Sequence, residues 1–458
     1  MMTKRNQTLK KQRSWYQSMW RWHFYAGIIF APIFIILAVT GSIYLFKPQI
    51  EDRLYSEMVF TEESGERVSL EKQVQAVNKK YPEATVSSIG QFEEADRTTR
   101  MGAMFGEEAG FVYVDPYTAE VTGQRLGEGP LGFIKTIHGE LFAGKVGNLL
   151  VELAASWAII LLITGSYLFW PRGERGSFKR VLFPSFQKKD GARNFWKGLH
   201  GAVAIWSTLG LVLIIASGLA WSGVAGEWIN TIATKTNSNF PQYAYGLDET
   251  LTSQVVTKDI AADIPWATQN DVVPTSGPAK PIPMTVSEVD RAATQRGIVK
   301  PYQITLPQGE RGVYTISSLH SNPVQEKTMH FDQYSGTILS SVAFSDYGLL
   351  AKMISMGIGF HEGKLFGLLN QLVGLALCLG LIFIVISSSV LWWKRRNGAG
   401  KLTAPKRAVD RRVQKIVAGL ILWISLTMPL AALSVVTIIV LDFLIFNRRR
   451  HDKEELAA

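Results

Sequence analysis

The sequence predicts an α-helical integral membrane protein with two water-facing α+β domains, built as helix, domain, helix and then the same again, with a further membrane segment at the C-terminus. Three observations predict it. Apolar runs well beyond 18 residues alternate with polar stretches in a chain of 458 residues that is 47% hydrophobic. Two of those runs match from end to end: "TIHGELFAGKVGNLLVELAASWAIILLITGSYLFWPR" and "GFHEGKLFGLLNQLVGLALCLGLIFIVISSSVLWWKRR" each open on a histidine, pass through Leu-Phe and close on Trp and a basic residue. His138 and His361 stand 223 positions apart, as do Trp170 and Trp393, so one ungapped shift superimposes both ends. Basic residues gather in the short connectors, whereas Glu51 to Glu128 holds sixteen acidic residues against eight basic.

The elements follow in order. Residues 1–22 form a basic N-terminus, and 23–46 a first span, long enough at about 1.5 Å per residue to cross roughly 30 Å of hydrocarbon. That span is too long for a signal-peptide core and no A-x-A site follows it, so it reads as a retained anchor. Residues 47–137 are the first water-facing domain: "SLEKQVQAVNKKYP" has helical spacing and "FVYVDPYTAEVTGQR" reads as strand, turn, strand. A histidine-headed segment and second span occupy 138–170, a basic connector 171–195 and a third span 196–222.

Residues 223–350 are the second water-facing stretch. A loop-rich insertion from about Thr231 to Pro283 precedes the helix "TVSEVDRAATQRG" and the strands "GVYTISSLHS" and "KTMHFDQYSGTILSSV". Residues 351–393 repeat the histidine-headed segment and form the fourth span, and 394–412 are another basic connector. The apolar run 413–446 is interrupted near Pro429, which predicts a hairpin or one kinked helix ahead of a basic tail at 447–458.

Lys and Arg in the N-terminus and both connectors place those segments in the cytoplasm, which puts both long stretches outside. The net charge of +10 is therefore a topology signal and no argument for nucleic acid. The only cysteine, Cys378, is alone in the middle of a span, which excludes disulfides and cysteine-bound iron–sulfur clusters.

The odd-numbered spans repeat as the even ones do. His23 stands 17 and 18 residues before Thr40 and Gly41, and His200 the same distances before Ser217 and Gly218. Repeats running in the same direction pack about an axis along the membrane normal. Such an axis sets His23 opposite His200 at the inner side and His138 opposite His361 at the outer side. Facing histidine pairs suit haem iron, one ligand from each half; a zinc site would want more donors. The small residues beside them, Ala26, Gly27, Gly201, Ala202, Gly139 and Gly363, are expected to let a macrocycle approach the backbone. No C-x-x-C-H is present, so the haems are expected to be b-type. His320 and His330 read as strand surface residues and His451 as a solvated tail residue. The Trp residues at span ends read as interface anchors. Glu152 and Asp442, costly within apolar runs, imply a partner, a wet cavity or an interface position.

The segments "LVELAASWAIILLITGSYLFWPR", "GLHGAVAIWSTLGLVLIIASGLAWSGVAGEW" and "HFDQYSGTILSSVAFSDYGLLAKMISMGIGFHEGKLFGLLNQ" resemble the signature segments of the PepSY-associated transmembrane proteins, over nearly the whole chain. That family includes di-haem reductases of ferric siderophores in the bacterial inner membrane. The resemblance implies that the outer domains are PepSY-like and that His23, His138, His200 and His361 correspond to haem-ligating positions.

The connectors contain no phosphate-binding glycine loop ahead of a helix, so an electron donor must be separate: a reduced cytoplasmic carrier or quinol. The expected activity is that of a membrane oxidoreductase with two bis-histidine haem b groups, reducing a ferric siderophore or other ferric chelate outside. The alternatives are a non-catalytic envelope regulator, which leaves the paired histidines unexplained, and a permease for iron chelates, for which the main spans offer few mid-span breaks apart from Pro32.

Overall fold

The computed structural model describes residues 4–170, 182–183, 191–236, 238, 252–261, 264–277, 282–319, 322–395, 408 and 410–455. Most of both predicted connectors, His320 and the side chain of His451 lie outside the described residues. The chain divides into two compact units, one made of residues 1–43, 135–229 and 372–458, the other of 44–134 and 230–371.

Among the described residues four helices, lying mostly in the first unit, are long and apolar enough to cross a membrane: Gln12–Tyr44, Gly144–Phe169, Ala192–Leu219 and Gly367–Trp393. The helix holding the first span starts at Lys4, well before the expected boundary, because Lys, Arg, Gln and Leu are all good helix formers, and it continues through Pro32. The segment 413–446 resolves into two helices, Arg411–Ser425 and Pro429–Glu455. Proline suits the first turn of the second helix, where its missing N–H leaves no bond unmade. Val413, Val417, Ile421 and Ser425 recur every four residues and form the buried stripe of the shorter helix. With Phe30, Phe34, Trp157, Ile160, Met428, Ala431 and Val435 they make the apolar core of this unit. Trp157 is its centre: its indole stacks between Trp22 and Phe30, with centroids 6.0 and 6.1 Å away, and donates to the Ser434 hydroxyl at 3.0 Å. The third and fourth spans meet through small residues: a Cβ at Gly380 would lie 2.9 Å from Ser207 Oγ, and one at Gly210 would lie 2.6 Å from Leu377 Cδ1.

Glu152 is 1% exposed in the second span, and its partner is a helix end. Its two carboxylate oxygens accept from the backbone N–H groups of Val224 at 2.9 Å and Ala225 at 3.1 Å, in the first turn of the helix Gly223–Lys235. Asn148 caps the same turn, accepting from Gly223 N–H at 2.9 Å. A carboxylate facing a helix N-terminus answers both the unmade N–H groups and the positive end of the dipole. Asp442, by contrast, is exposed.

The second unit is an α+β structure. Its strands are β1 (Ala84–Gln91), β2 (Thr99–Phe105), β3 (Glu108–Val114), β4 (Val121–Leu126), β5 (Thr252–Val256), β6 (Val272–Pro274), β7 (Tyr302–Thr305), β8 (Val313–Ser318), β9 (Lys327–Asp332) and β10 (Ile338–Ala343). Eight of them form one antiparallel sheet in the order β10-β9-β8-β7-β1-β2-β3-β4. The two stretches expected as separate domains thus share a sheet, joined where Ser88, Ile89, Gly90 and Gln91 pair with Thr305, Ile304, Gln303 and Tyr302. Pairing there covers an edge that each set of four would otherwise leave open.

Each set is preceded by an amphipathic helix, Leu70–Lys80 or Val286–Gln295, capped by Ser69 or Thr285. Both helices lie on one face, packing Leu70, Val77, Val289 and Ala293 against Ile89, Met101, Val112, Ile304, Ile316 and Phe331. They are tied to each other by Glu71, whose carboxylate accepts from Ser287 N–H at 2.7 Å and Ser287 Oγ at 2.6 Å.

The predicted hairpin turns are matched as well. Asp115 accepts from Tyr117 N–H and Asp332 from Tyr334 and Ser335 N–H, each closing an Asx turn. The insertion predicted as loop-rich contains the β5–β6 pair, and the helix Gly223–Lys235 runs into its start. Thr268 from this insertion meets Thr328 of β9, hydroxyl to hydroxyl at 3.1 Å.

Candidate functional site

The four repeat histidines are all part-buried, and each has a definite place. His23 lies in the first span, where its Nδ1 meets the hydroxyl of Thr164 in the second at 3.0 Å. His200 lies in the third span, and its Nδ1 meets the Ser387 hydroxyl of the fourth at 2.9 Å and the Ile384 carbonyl at 3.2 Å. His23 and His200 thus lie in the same unit, each with Nδ1 against a hydroxyl of the span that follows its own. His138 stands in the last turn of the helix Gly129–Glu140, its Nδ1 at 2.9 Å from the hydroxyl of Thr40. His361, in the second unit, ends the helix Leu349–His361, and a turn at Glu362 to Phe366 separates it from the fourth span.

The hydroxyls are residues that the sequence reading passed over as partners. Thr164 follows His138 by 26 positions and Ser387 follows His361 by 26, so the shift that aligns the histidines also aligns the hydroxyls. A search of the repeat for matched polar positions would have found them.

The small neighbours divide into two kinds. A Cβ placed on Gly27 or Gly139 would meet nothing within 4 Å, so open space lies beside His23 and His138. Gly201 differs from expectation, because the Phe169 ring occupies the space where a side chain would go. Gly363 differs too: its φ of +73° is the left-handed region that disfavours a side chain, and Leu45 and Gln371 already sit 3.0 Å from its Cβ position. Those two glycines serve the protein's own packing and turn.

Imidazoles with Nδ1 held by an oxygen and part-exposed rings, with open space beside His23 and His138, fit residues that would hold a haem. Among the described residues, no group of three or more His, Cys, Asp or Glu side chains is arranged to hold a bare metal ion.

His330 differs from the surface position predicted for it. It is 2% exposed in β9, opposite Thr315 of β8, whose hydroxyl lies 2.9 Å from its Nδ1. Both faces of the sheet are covered here, since β8 is buried at every position, and burial holds the imidazole down to about 4.

The second unit also holds a part-buried acid. Burial pushes the Glu326 carboxyl up to about 7, although the Ser355 hydroxyl donates to it at 3.2 Å. Ser355 belongs to the helix that ends at His361. Tyr347 is beside the same carboxyl, and burial and that neighbouring charge hold its phenol well above the usual range.

Compared with known families, the chain matches the profile described as the PepSY-associated TM region over residues 20–395. No curated protein matches the chain.

Proposed function

The chain belongs to the PepSY-associated transmembrane family, and on that premise we propose that it is a di-haem b-type electron-transfer protein of the bacterial inner membrane that reduces ferric siderophore iron outside the cytoplasm. In this reading the chain is an internal duplication of helix, PepSY-like half and helix, with its N-terminus and basic connectors in the cytoplasm. Electrons come from a separate cytoplasmic carrier or from quinol. The observation that carries the reading is the inner histidine pair: His23 and His200, from matched positions of the two repeats, lie in the same unit, and each has Nδ1 held by a hydroxyl. His138 and His361 are the proposed outer pair.

Haem held by His23 with His200 and by His138 with His361 would supply one-electron chemistry. The chain's own part is to orient the imidazoles, to keep water out of the spans and to hold an acceptor on the side of the β-sheet unit. A ferric chelate suits such an acceptor. One electron converts Fe(III) to Fe(II), which an oxygen-rich chelator holds less tightly, and no covalent bond breaks.

The test is made on the purified full chain expressed with ample haem. Dithionite should give sharp low-spin bands, with about two non-covalent haems per chain by pyridine haemochrome. His23→Ala and His200→Ala should remove the same haem, and His138→Ala and His361→Ala the other. In oriented proteoliposomes a ferric siderophore on the sheet side should reoxidise the reduced protein and colour an Fe(II) trap. Colourless protein overturns the haem reading. Haems reoxidised by quinones but untouched by ferric chelates overturn the siderophore assignment alone.

A further inference from the structure

The hydroxyl partners of His23, His138 and His200 share a geometry that bears on which ring nitrogen carries the proton. Thr164 Oγ1 lies 2.8 Å from the Ile160 carbonyl one turn back in its own helix, and Thr40 Oγ1 lies 2.7 Å from that of Ile36. Ser387 Oγ lies 3.0 Å from the Ile384 carbonyl. A carbonyl can only accept, so each hydroxyl spends its single proton on its own helix. Towards the histidine it can then only accept, and Nδ1 must be the donor. For His200 the assignment has a second support, since Nδ1 also faces the Ile384 carbonyl itself at 3.2 Å.

We propose that Thr164 and Ser387 are positioning residues that lock His23 and His200 in the tautomer with the proton on Nδ1 and the lone pair on Nε2, and that Thr40 does the same for His138. The inference rests on the haem reading for its purpose, because a ligand nitrogen must present a lone pair, but its tautomer claim stands without haem. Helix context makes the device work. In a helix the carbonyl three or four residues back lies beneath a Ser or Thr side chain, so the hydroxyl is oriented before any ligand arrives. The second half of the device is the residue after the hydroxyl. A Cβ on Gly165 would come within 3.0 Å of His23 Cε1, and one on Gly41 within 3.3 Å of His138 Cε1. The Thr-Gly dipeptide thus supplies an acceptor for Nδ1 and a bare patch of helix on which the ring edge lies. Ser217, with Gly218 after it, donates to the carbonyls of Leu213 and Ile214 in the same manner.

The inference is tested on the full chain in lipid nanodiscs, with and without haem. In haem-free protein labelled with 15N-histidine, the signals of His23 and His200, assigned by difference against His23→Gln and His200→Gln, should show a protonated Nδ1 and a bare Nε2. Thr164→Val keeps the volume and removes the acceptor, so His23 should become a mixture of tautomers; Thr164→Ser should restore the single form. In haem-loaded protein, Thr164→Val and Ser387→Ala should each weaken the same haem about 10- to 100-fold and shift its midpoint potential, with Thr164→Ser and Ser387→Thr restoring both. A wild-type Nε2–H tautomer, or Val and Ala variants that leave tautomer and potential unchanged, would overturn the inference while leaving the haem reading intact. A wild-type protein that binds no haem overturns the proposed function instead, and the nitrogen spectrum still decides the tautomer.

Discussion

His23 and His330 both sit 2.9 to 3.0 Å from a threonine hydroxyl through Nδ1, yet they belong to different environments, the first span and the sheet. The Thr164 hydroxyl of the first pair lies 2.8 Å from Ile160 O in its own helix and, on the proposed tautomer, accepts from the ring. Thr315 of the second pair is in a strand, where no carbonyl lies beneath the hydroxyl, so either group can be the donor. His23 keeps part of its surface open beside an unfilled glycine, whereas His330 is 2% exposed with residues packed on both sides. On the proposed reading, the same hydrogen bond prepares one histidine for an outside partner and satisfies the other as a core residue. A buried, hydrogen-bonded histidine is not by itself a site.

Replacing each ring is the strongest way to break this comparison. His330→Ala should leave the haem spectrum intact and destabilise the sheet unit by about 3 kcal/mol, through the cavity and the orphaned Thr315 hydroxyl. His23→Ala should do the reverse, removing one haem while leaving the melting of the sheet unchanged. Thermal unfolding followed together with the visible spectrum separates the two, and a His330→Ala protein that loses haem would erase the distinction.

A smaller effect sharpens it. The His330 imidazole is held at about 4 by burial, below its ordinary 6.5, so the fold favours the neutral ring. Its contribution is fully present above pH 6.5 and is lost as pH falls towards 4, amounting to on the order of 2 kcal/mol by pH 5. Glu326 works against this trend, since a carboxyl raised to about 7 contributes most below pH 4.5 and loses that contribution as pH rises through 7. Melting curves of His330→Gln should therefore show a flatter acid limb than wild type, and those of Glu326→Gln a flatter neutral limb. An unchanged acid limb in His330→Gln would mean that the imidazole is not protected.

The smallest expected effect concerns the strand hydroxyl. Thr315→Val should cost about 1 kcal/mol of sheet stability, the net value of one hydrogen bond, with no change in haem potential. Thr164→Val should move the potential. Equal behaviour of the two variants would show that helix context adds nothing.

Much of this was legible in the chain. The spans follow from apolar length, because hydrocarbon admits few alternatives to a helix that satisfies its own backbone. The matched histidines follow from a constant offset, and the Asp115 and Asp332 turns from a local side-chain preference that needs no distant partner. The two amphipathic helices of the sheet unit were visible in their spacing for the same reason.

What the tertiary structure alone decided are the pairings between residues far apart in sequence. Sequence left Glu152 with three possible environments; folding placed it on the N-terminus of a helix some 70 residues later. His330 reads as a surface position when its strand is taken alone, but cover on both faces of the sheet buries it. Ser88 to Gln91 and Tyr302 to Thr305 carry no mark that says two sets of four strands will share one sheet, because strand edges offer the same N–H and C=O groups whatever their side chains. Gly201 and Gly27 are the same residue type beside matched histidines, and only the arrival of the Phe169 ring from another helix fills one space and leaves the other open. Sequence by itself determined what each segment can satisfy internally, the helices, spans and turns; the fold decided which distant group answers each remaining donor, acceptor and void, since that depends on approach in three dimensions and not on neighbours along the chain.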